Sequence, residues 1–203
     1  MAPEQIYISL LVGIRRRFDA IEALDSIQAD SFSKAEFTAF QSRKIIEAIA
    51  FSCLVALHNG LKIIPNDSKG QWNAEVILKR LKKRHPETFP GPNKFRRPLP
   101  EDNAPEDAKI VFLGVPERRL THDSLIEMYQ RMHSWLHEIN PYTSKNKDTF
   151  LQDHASQLKQ DVQKLHEMLE CHFISISGEG FMAFLSHPAT GAPQVMSLSK
   201  VQA

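Results

Sequence analysis

Apolar side chains recur at steps of three and four residues in five segments of the chain, and this spacing predicts five α-helices. The segments cover residues 3–29, 34–59, 73–85, 121–140 and 148–170. Residues 45–57 are apolar nearly all round, which is typical of a helix at the centre of a bundle. In the fifth segment Leu151, Leu158 and Leu165 lie seven residues apart. We expect this seam to pack on the fourth helix as an antiparallel pair.

The pattern changes near the C-terminus, where apolar residues alternate with small or polar ones, as in β-strands. We predict strands at residues 173–177, 181–185 and 195–198, with residues 109–113 as a candidate further strand. The predicted fold class is mainly α (α+β), a five-helix bundle with a small C-terminal antiparallel β-sheet. The bundle would cover residues 1–170, and the sheet, packed on it, residues 171–203.

A proline-rich segment separates the third helix from the short strand. Residues 86–105 hold six of the chain's twelve prolines. Because proline lacks a backbone N–H and has a fixed φ, this density argues against a regular helix or an inner strand. We therefore predict a basic, proline-rich loop over residues 86–108.

The same part of the chain has a local excess of positive charge. The whole chain has a net charge of +1, yet residues 79–97 contain eight of its 25 lysines and arginines and a single acid, Glu87. Clustered cations with an interleaved aromatic residue suit a partner that bears phosphate groups. The alternative is a solvated basic helix end and loop. The candidate nucleic-acid-binding residues are Lys79, Arg80, Lys83, Lys94, Phe95, Arg96 and Arg97.

Glu47 lies in the apolar part of the second helix, where burial of an isolated carboxylate is costly. Arg43, one helical turn earlier, is its obvious partner. The pair is either a polar clamp between packed helices or part of a cleft that contains a catalytic acid or base.

His133 and His137, four residues apart on the fourth helix, share one stripe beside its apolar face. This spacing is compatible with metal binding, with proton transfer or with a boundary between core and solvent. A zinc-protease helix needs glutamate directly after its first histidine, and Ser134 occupies that position here. A third metal ligand would have to be Glu47 or His58. We predict neither a metal nor a cofactor.

Several classes of protein are not supported by the sequence. It contains no nucleophile elbow, no P-loop and no dinucleotide-binding glycine motif. The most apolar run, residues 45–57, is too short to span a bilayer, and no secretion signal is recognisable. Cys53 and Cys171 lack metal-ligand spacing and suit a reducing compartment. We expect a cytoplasmic protein with no membrane partner.

The segment Arg43-Lys44-Ile45-Ile46-Glu47, on the second helix of a small bundle, resembles the HEPN superfamily. That superfamily contains ribonucleases and RNA-binding proteins of toxin–antitoxin, anti-phage and RNA-processing systems. Its active members have an arginine, four to six further residues and then a histidine, and Arg131 and His137 fit that spacing. Met132 departs from the polar residue usual after the arginine. The resemblance covers about residues 1–170 and implies RNA as the substrate class.

The sequence supports two functional hypotheses. In the first, the protein binds RNA through the basic residues and, if it is an enzyme, acts as a metal-independent endoribonuclease. Its candidate catalytic residues are His137, His133, Arg131, Glu47 and Arg43, which would supply an acid or base, a phosphate-stabilising cation and an orienting carboxylate. In the second, the protein is a non-enzymatic module that forms a homodimer or binds a protein partner.

Overall fold

A computed structural model describes residues 2–60, 73–102, 104, 108–138, 140, 142, 146–176 and 179–198. Over these residues the chain forms five α-helices and a five-stranded antiparallel sheet, which confirms the predicted fold class. The helices are α1 (Pro3–Glu22), α2 (Ser31–Gly60), α3 (Ala74–Arg84), α4 (His122–Trp135) and α5 (Lys147–Leu169). The strands are β1 (Gly91–Arg96), β2 (Val111–Gly114), β3 (Cys171–Ile176), β4 (Glu179–Phe184) and β5 (Gln194–Ser197). None of the helices in these ranges is long and apolar enough to cross a membrane.

Helix α2 lies at the centre of the core, as its apolar pattern predicts. Its Ile45, Ile46 and Ile49 are buried, and α1, α3, α4 and α5 all pack against it. The expected antiparallel packing of α5 on α4 is present at the end of α4, where the Trp135 ring packs edge-on against Phe150, but the backbone of α5 lies mainly against α2. Helix α2 offers apolar surface on nearly every side, so it is the larger hydrophobic partner for the leucines of α5.

A buried polar pair joins α1 to the sheet. The Tyr7 hydroxyl donates to Nε2 of His172 at 2.7 Å, and Nδ1 of His172 donates to the Leu169 carbonyl at 3.1 Å. Both side chains are buried. Burial lowers the pKa of His172 to about 4 and raises the pKa of Tyr7 well above its usual value. The pair is therefore uncharged near neutral pH.

The sheet has the strand order β2-β1-β3-β4-β5. Strands β3, β4 and β5 confirm the prediction of a C-terminal sheet, and β2 confirms the short strand expected near residues 109–113. The predicted loop over residues 86–108 is wrong for Gly91–Arg96, which forms an inner strand. The sheet thus combines strands from both sides of residue 170 and is not confined to the C-terminus.

Strand β1 tolerates proline because it changes partner along its length. Gly91 and Pro92 pair with β3, whereas residues 93–96 pair with β2. The Pro92 carbonyl accepts a hydrogen bond from the Val115 backbone nitrogen at 2.9 Å. A strand residue directs its N and its C=O to the same side, so the missing N–H of Pro92 faces the end of the β1–β2 ladder.

Helix α1 ends earlier than predicted, at Glu22, and a 3₁₀ turn, Ala23–Ser26, follows it. Helix α2 then begins at Ser31. The Asp30 carboxylate accepts from the backbone nitrogen of Ser33 at 2.9 Å and from its hydroxyl at 2.6 Å. The first of these bonds satisfies an orphan N–H at the start of α2, so Asp30 stabilises the beginning of a new helix here.

Helix α4 also ends early, at Trp135 rather than near residue 140. The Ser134 hydroxyl donates to the Arg131 carbonyl at 2.6 Å, and the Leu136 N–H donates to the His133 carbonyl at 3.1 Å. Both bonds tighten the last turn and compete with continued α-helical pairing. His137 therefore lies just beyond the helix, where its direction is not set by helical geometry.

Candidate active site

Arg43 is the centre of a polar cluster between α2 and α4. One of its Nη atoms contacts Nδ1 of His133, and the other donates to the Tyr129 hydroxyl at 2.8 Å. Its Nε donates to Glu47 at 3.4 Å, and its guanidinium lies 4.5 Å from the centre of the Tyr129 ring. A single guanidinium thus connects two helices through three different side chains. We call Arg43, Glu47, Tyr129, His133 and His137 the histidine site.

The predicted pairing of Glu47 with Arg43 is confirmed, and the carboxylate has two further donors. Lys44 donates to it at 2.7 Å and the Tyr129 hydroxyl at 3.4 Å. The side chains of Arg43 and Glu47 are 17% and 12% exposed. A carboxylate with so little exposure needs hydrogen-bond donors in place of the water it has lost. Glu47 therefore fixes the orientation of Arg43 and Lys44 at the edge of solvent.

Helical periodicity explains why these residues meet. Arg43 and Glu47 are one turn apart on α2, and Tyr129 and His133 are one turn apart on α4, so each pair lies on one face. The packing of α4 on α2 brings the two faces together. Hydrogen bonds also fix where α4 begins, because Thr121 and Ser124 form a reciprocal cap at its start.

His133 and His137 face each other across a hydrogen bond between their Nε2 atoms, 2.8 Å long. A guanidinium can only donate, so Nδ1 of His133 accepts and has no proton. Neutral His133 therefore has its proton on Nε2 and donates it to Nε2 of His137. His137 then has its own proton on Nδ1. The chain of bonds from Arg43 through both rings is complete only when both histidines are neutral.

The pKa of His133 is shifted in the direction that its hydrogen bonds imply, toward the neutral ring. Partial desolvation lowers the pKa of His133, and the charges of Arg43 and His137 lower it further. Desolvation also raises the pKa of the Tyr129 hydroxyl. Both groups are thus held neutral next to a permanent cation, and both rings of the histidine pair are exposed to solvent. A substrate can reach groups able to accept or donate a proton.

Metal binding at the histidine pair is not supported by the described residues. Among them, no group of three or more histidine, cysteine, aspartate or glutamate side chains could hold an ion. The side chain of His58, which the sequence offered as a further ligand, lies outside the described part of the structure. The donor set of the histidine site includes the Arg43 cation, which is unfavourable beside a metal.

Arg131 does not join the histidine site. Its guanidinium forms two bonds with Asp161 of α5, from Nε at 2.8 Å and from an Nη at 2.9 Å. Asp161 is buried, 1% exposed, and also accepts from Gln157 at 2.9 Å. The spacing of Arg131 and His137 matches the HEPN pattern in sequence, but in this structure Arg43 is the arginine next to the histidines. Arg131 joins α4 to α5 instead.

The predicted nucleic-acid-binding residues lie on two elements, helix α3 and strand β1 with the residue that follows it. Lys79 pairs with Glu75 at 2.6 Å, and Arg96 forms a bidentate pair with Asp102 at 2.6 and 2.7 Å. Lys83, Lys94 and Arg97 are exposed and have no ion pair within the described ranges. Arg80 is partly buried and lines a small pocket with Leu54 and Ile77.

Phe95 is held by the sheet. Its ring packs edge-on against Phe184, with centroids 5.7 Å apart, and residues 171, 182 and 184 form the small cluster beneath it. Stacking of Phe95 on a base would have to use its remaining exposed edge.

Four residues around the histidine site were not among the candidate site residues that the sequence predicted. They are Lys44, Tyr129, Phe37 and Phe40. A signal for the last two was present, since both phenylalanines lie outside the buried face of α2.

Comparison with known proteins adds no relative. A scan against family models, a search of curated proteins and a search of solved structures each find no match for this chain. The HEPN resemblance therefore rests on the residues given above and stays a prediction.

Proposed function

We propose that this protein is an RNA-directed, HEPN-like helical protein that binds RNA and cleaves it without a metal at the histidine site. The observation behind this proposal is that one guanidinium, Arg43, contacts a solvent-exposed pair of hydrogen-bonded histidines. A cation next to two groups able to exchange protons matches the needs of phosphodiester cleavage. Arg131 is left out of the proposed machinery because Asp161 occupies it.

Phosphate recognition falls to Arg43 and Lys44. A guanidinium can hold a phosphate through two parallel N–H bonds, and the adjacent ammonium adds a point charge. When a phosphate accepts from the Nη atom that contacts His133, Nδ1 of that ring loses its donor. The negative charge also offsets the effect of Arg43 on His133. Substrate binding thus makes His133 a better proton acceptor.

The proposed reaction uses the 2′-hydroxyl of the RNA as nucleophile. One histidine takes the proton of the 2′-hydroxyl while its oxygen forms a bond to phosphorus, and the bond from phosphorus to the 5′-oxygen breaks. That histidine, His133, accepts the proton at Nδ1 and passes its Nε2 proton to His137, whose Nδ1 proton goes to the leaving 5′-oxygen, so both rings end neutral. The products are a 2′,3′-cyclic phosphate and a 5′-hydroxyl. Arg43 stabilises the additional negative charge on the phosphoryl oxygens during the step.

The basic helix α3 extends this site. Lys79 and the amide of Gln130, which is on the turn of α4 before His133, both bond Glu75 and lower its pKa, the lysine first. Lys79 therefore lies near Gln130, about one turn before His133 on α4. The exposed cations Lys83, Lys94 and Arg97 would contact a longer RNA and make its binding dependent on salt.

The test is fluorescence anisotropy of a labelled single-stranded RNA at about 50 and about 200 mM salt, followed by cleavage assays. We expect binding that falls steeply with salt and is lost when Lys79, Lys83, Lys94 and Arg97 are changed to glutamate. Cleavage should survive EDTA, spare 2′-deoxy substrates and yield a cyclic phosphate. His137→Ala should slow it about a hundredfold or more. The matched control is His187→Ala, at a turn of the sheet.

No binding at low salt, or cleavage that EDTA abolishes, would contradict the proposal. A non-enzymatic interaction module would then be the better hypothesis. An apolar groove of about 770 Å³ between α1, α2 and α5 favours this second candidate, with Phe18, Ile21, Leu151 and Val162 among its lining residues. Its signature would be a stable homodimer or complex with a protein partner and no affinity for nucleic acid.

A further inference from the structure

An open cavity of about 410 Å³ adjoins the histidine site. Its lining residues are Ser33, Glu36, Phe37 and Phe40 of α2 and Leu136 at the end of α4. The two phenylalanines are 38% and 42% exposed, which is unusual for large apolar side chains on a helix whose other faces are buried. All five residues lie within the described part of the structure. The cavity therefore presents two aromatic side chains to solvent at one end of the site.

The cavity and the histidine site form one continuous surface. Phe40 is one turn before Arg43 and Lys44 on α2, so their side chains are neighbours. Leu136 stands directly before His137 in the chain. By the helical rise of 1.5 Å per residue, about 10 Å separates Glu36 from Arg43 along the axis. This length is comparable to that of one nucleotide, from its phosphate to the far edge of its base.

The cavity offers a base the two kinds of contact that proteins use for single-stranded RNA. An exposed aromatic ring stacks on the face of a base, and polar groups then read its Watson–Crick edge. The Glu36 carboxylate is exposed and has no ion pair or hydrogen bond within the described ranges. The Ser33 hydroxyl already donates to Asp30 at 2.6 Å, so its oxygen remains as an acceptor. The polar groups of the cavity therefore favour a base that donates.

Guanine fits this set best. Its Watson–Crick edge has two adjacent donors, the ring N1–H and the 2-amino group, which match the two oxygens of a carboxylate. Adenine and cytosine place a ring acceptor next to their amino group, and uracil flanks its single N–H with two carbonyl oxygens. Each of these would direct a lone pair at Glu36.

We propose that the cavity between Phe37, Phe40 and Leu136 is a base subsite that selects guanine beside the phosphate held by Arg43. This inference rests on the proposed function, since it assigns the base preference of the same site. Phe40 stacks on the base, Glu36 accepts from its edge, and the phosphate lies at Arg43 and Lys44.

The test compares labelled uridine hexamers that contain one guanosine, inosine or adenosine, with GMP and AMP titrated separately as small probes. We expect the guanosine RNA to bind at least about fivefold more tightly than the adenosine RNA, with inosine between them because it lacks the 2-amino group. Phe40→Leu should weaken guanosine binding at least about fivefold, and Phe40→Trp should retain it. Glu36→Gln should remove the preference and keep general RNA binding.

Phe173→Leu is the matched control, because Phe173 is 39% exposed and lies on β3. Equal binding or cleavage of all the hexamers would overturn the base subsite and leave the proposed function intact. Failure to bind any RNA or either nucleotide would overturn both. Light scattering identifies one further outcome. If Phe40→Leu converts a dimer to a monomer without changing base preference, the aromatic side chains form an interface between two copies and the subsite is wrong.

Discussion

Two histidine networks in this protein differ mainly in their contact with water. His172 bonds Tyr7 and the Leu169 carbonyl in the core and is 0% exposed, whereas His133 bonds both Arg43 and His137 at the surface. Burial holds His172 in one neutral tautomer, so it serves as a fixed connection between α1 and β3. The exposed pair exchanges protons with solvent. Exposure, more than the hydrogen-bond pattern, separates a structural histidine from one suited to proton transfer.

The largest expected effect is a loss of stability in acid caused by His172. Its pKa is about 4 in the folded protein and near 6.5 in the unfolded chain, so between these pH values His172 is protonated only in the unfolded chain. The contribution of His172 to the free energy of unfolding is therefore fully present above pH 6.5. As pH falls to about 4, roughly 3 kcal/mol is lost. Urea unfolding at pH 7 and pH 4.5 measures this dependence.

The control for this prediction is His172→Asn, which cannot titrate. The variant should be less stable than the wild type at pH 7 but should lose less free energy of unfolding as the pH falls. An identical pH dependence in both proteins would mean that His172 is not the group responsible. His133→Asn, at the exposed pair, should leave the acid dependence nearly unchanged.

Arg131 and Arg43 are the next pair to compare. Arg131→Gln leaves the buried Asp161 carboxylate without its cation and should lower the free energy of unfolding by about 2 kcal/mol, discounted for the partial exposure of Arg131. It should not change RNA affinity. Arg43→Gln should do the reverse and weaken RNA binding with a smaller effect on stability. If Arg131→Gln abolished RNA cleavage in a fully folded protein, the HEPN spacing would outweigh the geometry described above.

Tyrosine hydroxyls offer a matched test of the two networks. Tyr7→Phe removes the donor to His172 and leaves a buried nitrogen unsatisfied, which should cost about 1–2 kcal/mol in the free energy of unfolding. Tyr129 is itself buried, but the partners of its hydroxyl, Arg43 and Glu47, are 17% and 12% exposed and can bond water instead, so the cost of Tyr129→Phe should stay below about 1 kcal/mol. Thermal or urea unfolding of both variants measures the difference. Equal costs would show that burial does not distinguish the networks.

The smallest effect is a change in the titration of His133, measured by NMR of its ring protons. We expect a midpoint below that of a histidine in an unstructured peptide, because desolvation and Arg43 lower its pKa. Inorganic phosphate should raise the midpoint by offsetting the Arg43 charge. Arg43→Gln should also raise it and make it insensitive to phosphate. His172 is the internal control, since a buried ring should not respond to the added anion.

Local patterns predicted most of the secondary structure. The three-to-four spacing of apolar residues located all five helices. The exceptions were decided by contacts with other segments. Strand β1 contains proline and still lies inside the sheet, because the loss of one N–H is tolerated where the β1–β2 ladder ends.

The sequence by itself determined the helices, the central place of α2 and the pairing of Glu47 with Arg43, because each depends on residues within a turn or two of each other. Only the tertiary structure decided which arginine joins the histidines. Arg43 and His133 are 90 residues apart, and no local spacing relates them. The packing of α4 on α2 brings them together, while Arg131 instead forms an ion pair with Asp161 of α5. The site is a product of helix packing, which a linear motif does not encode.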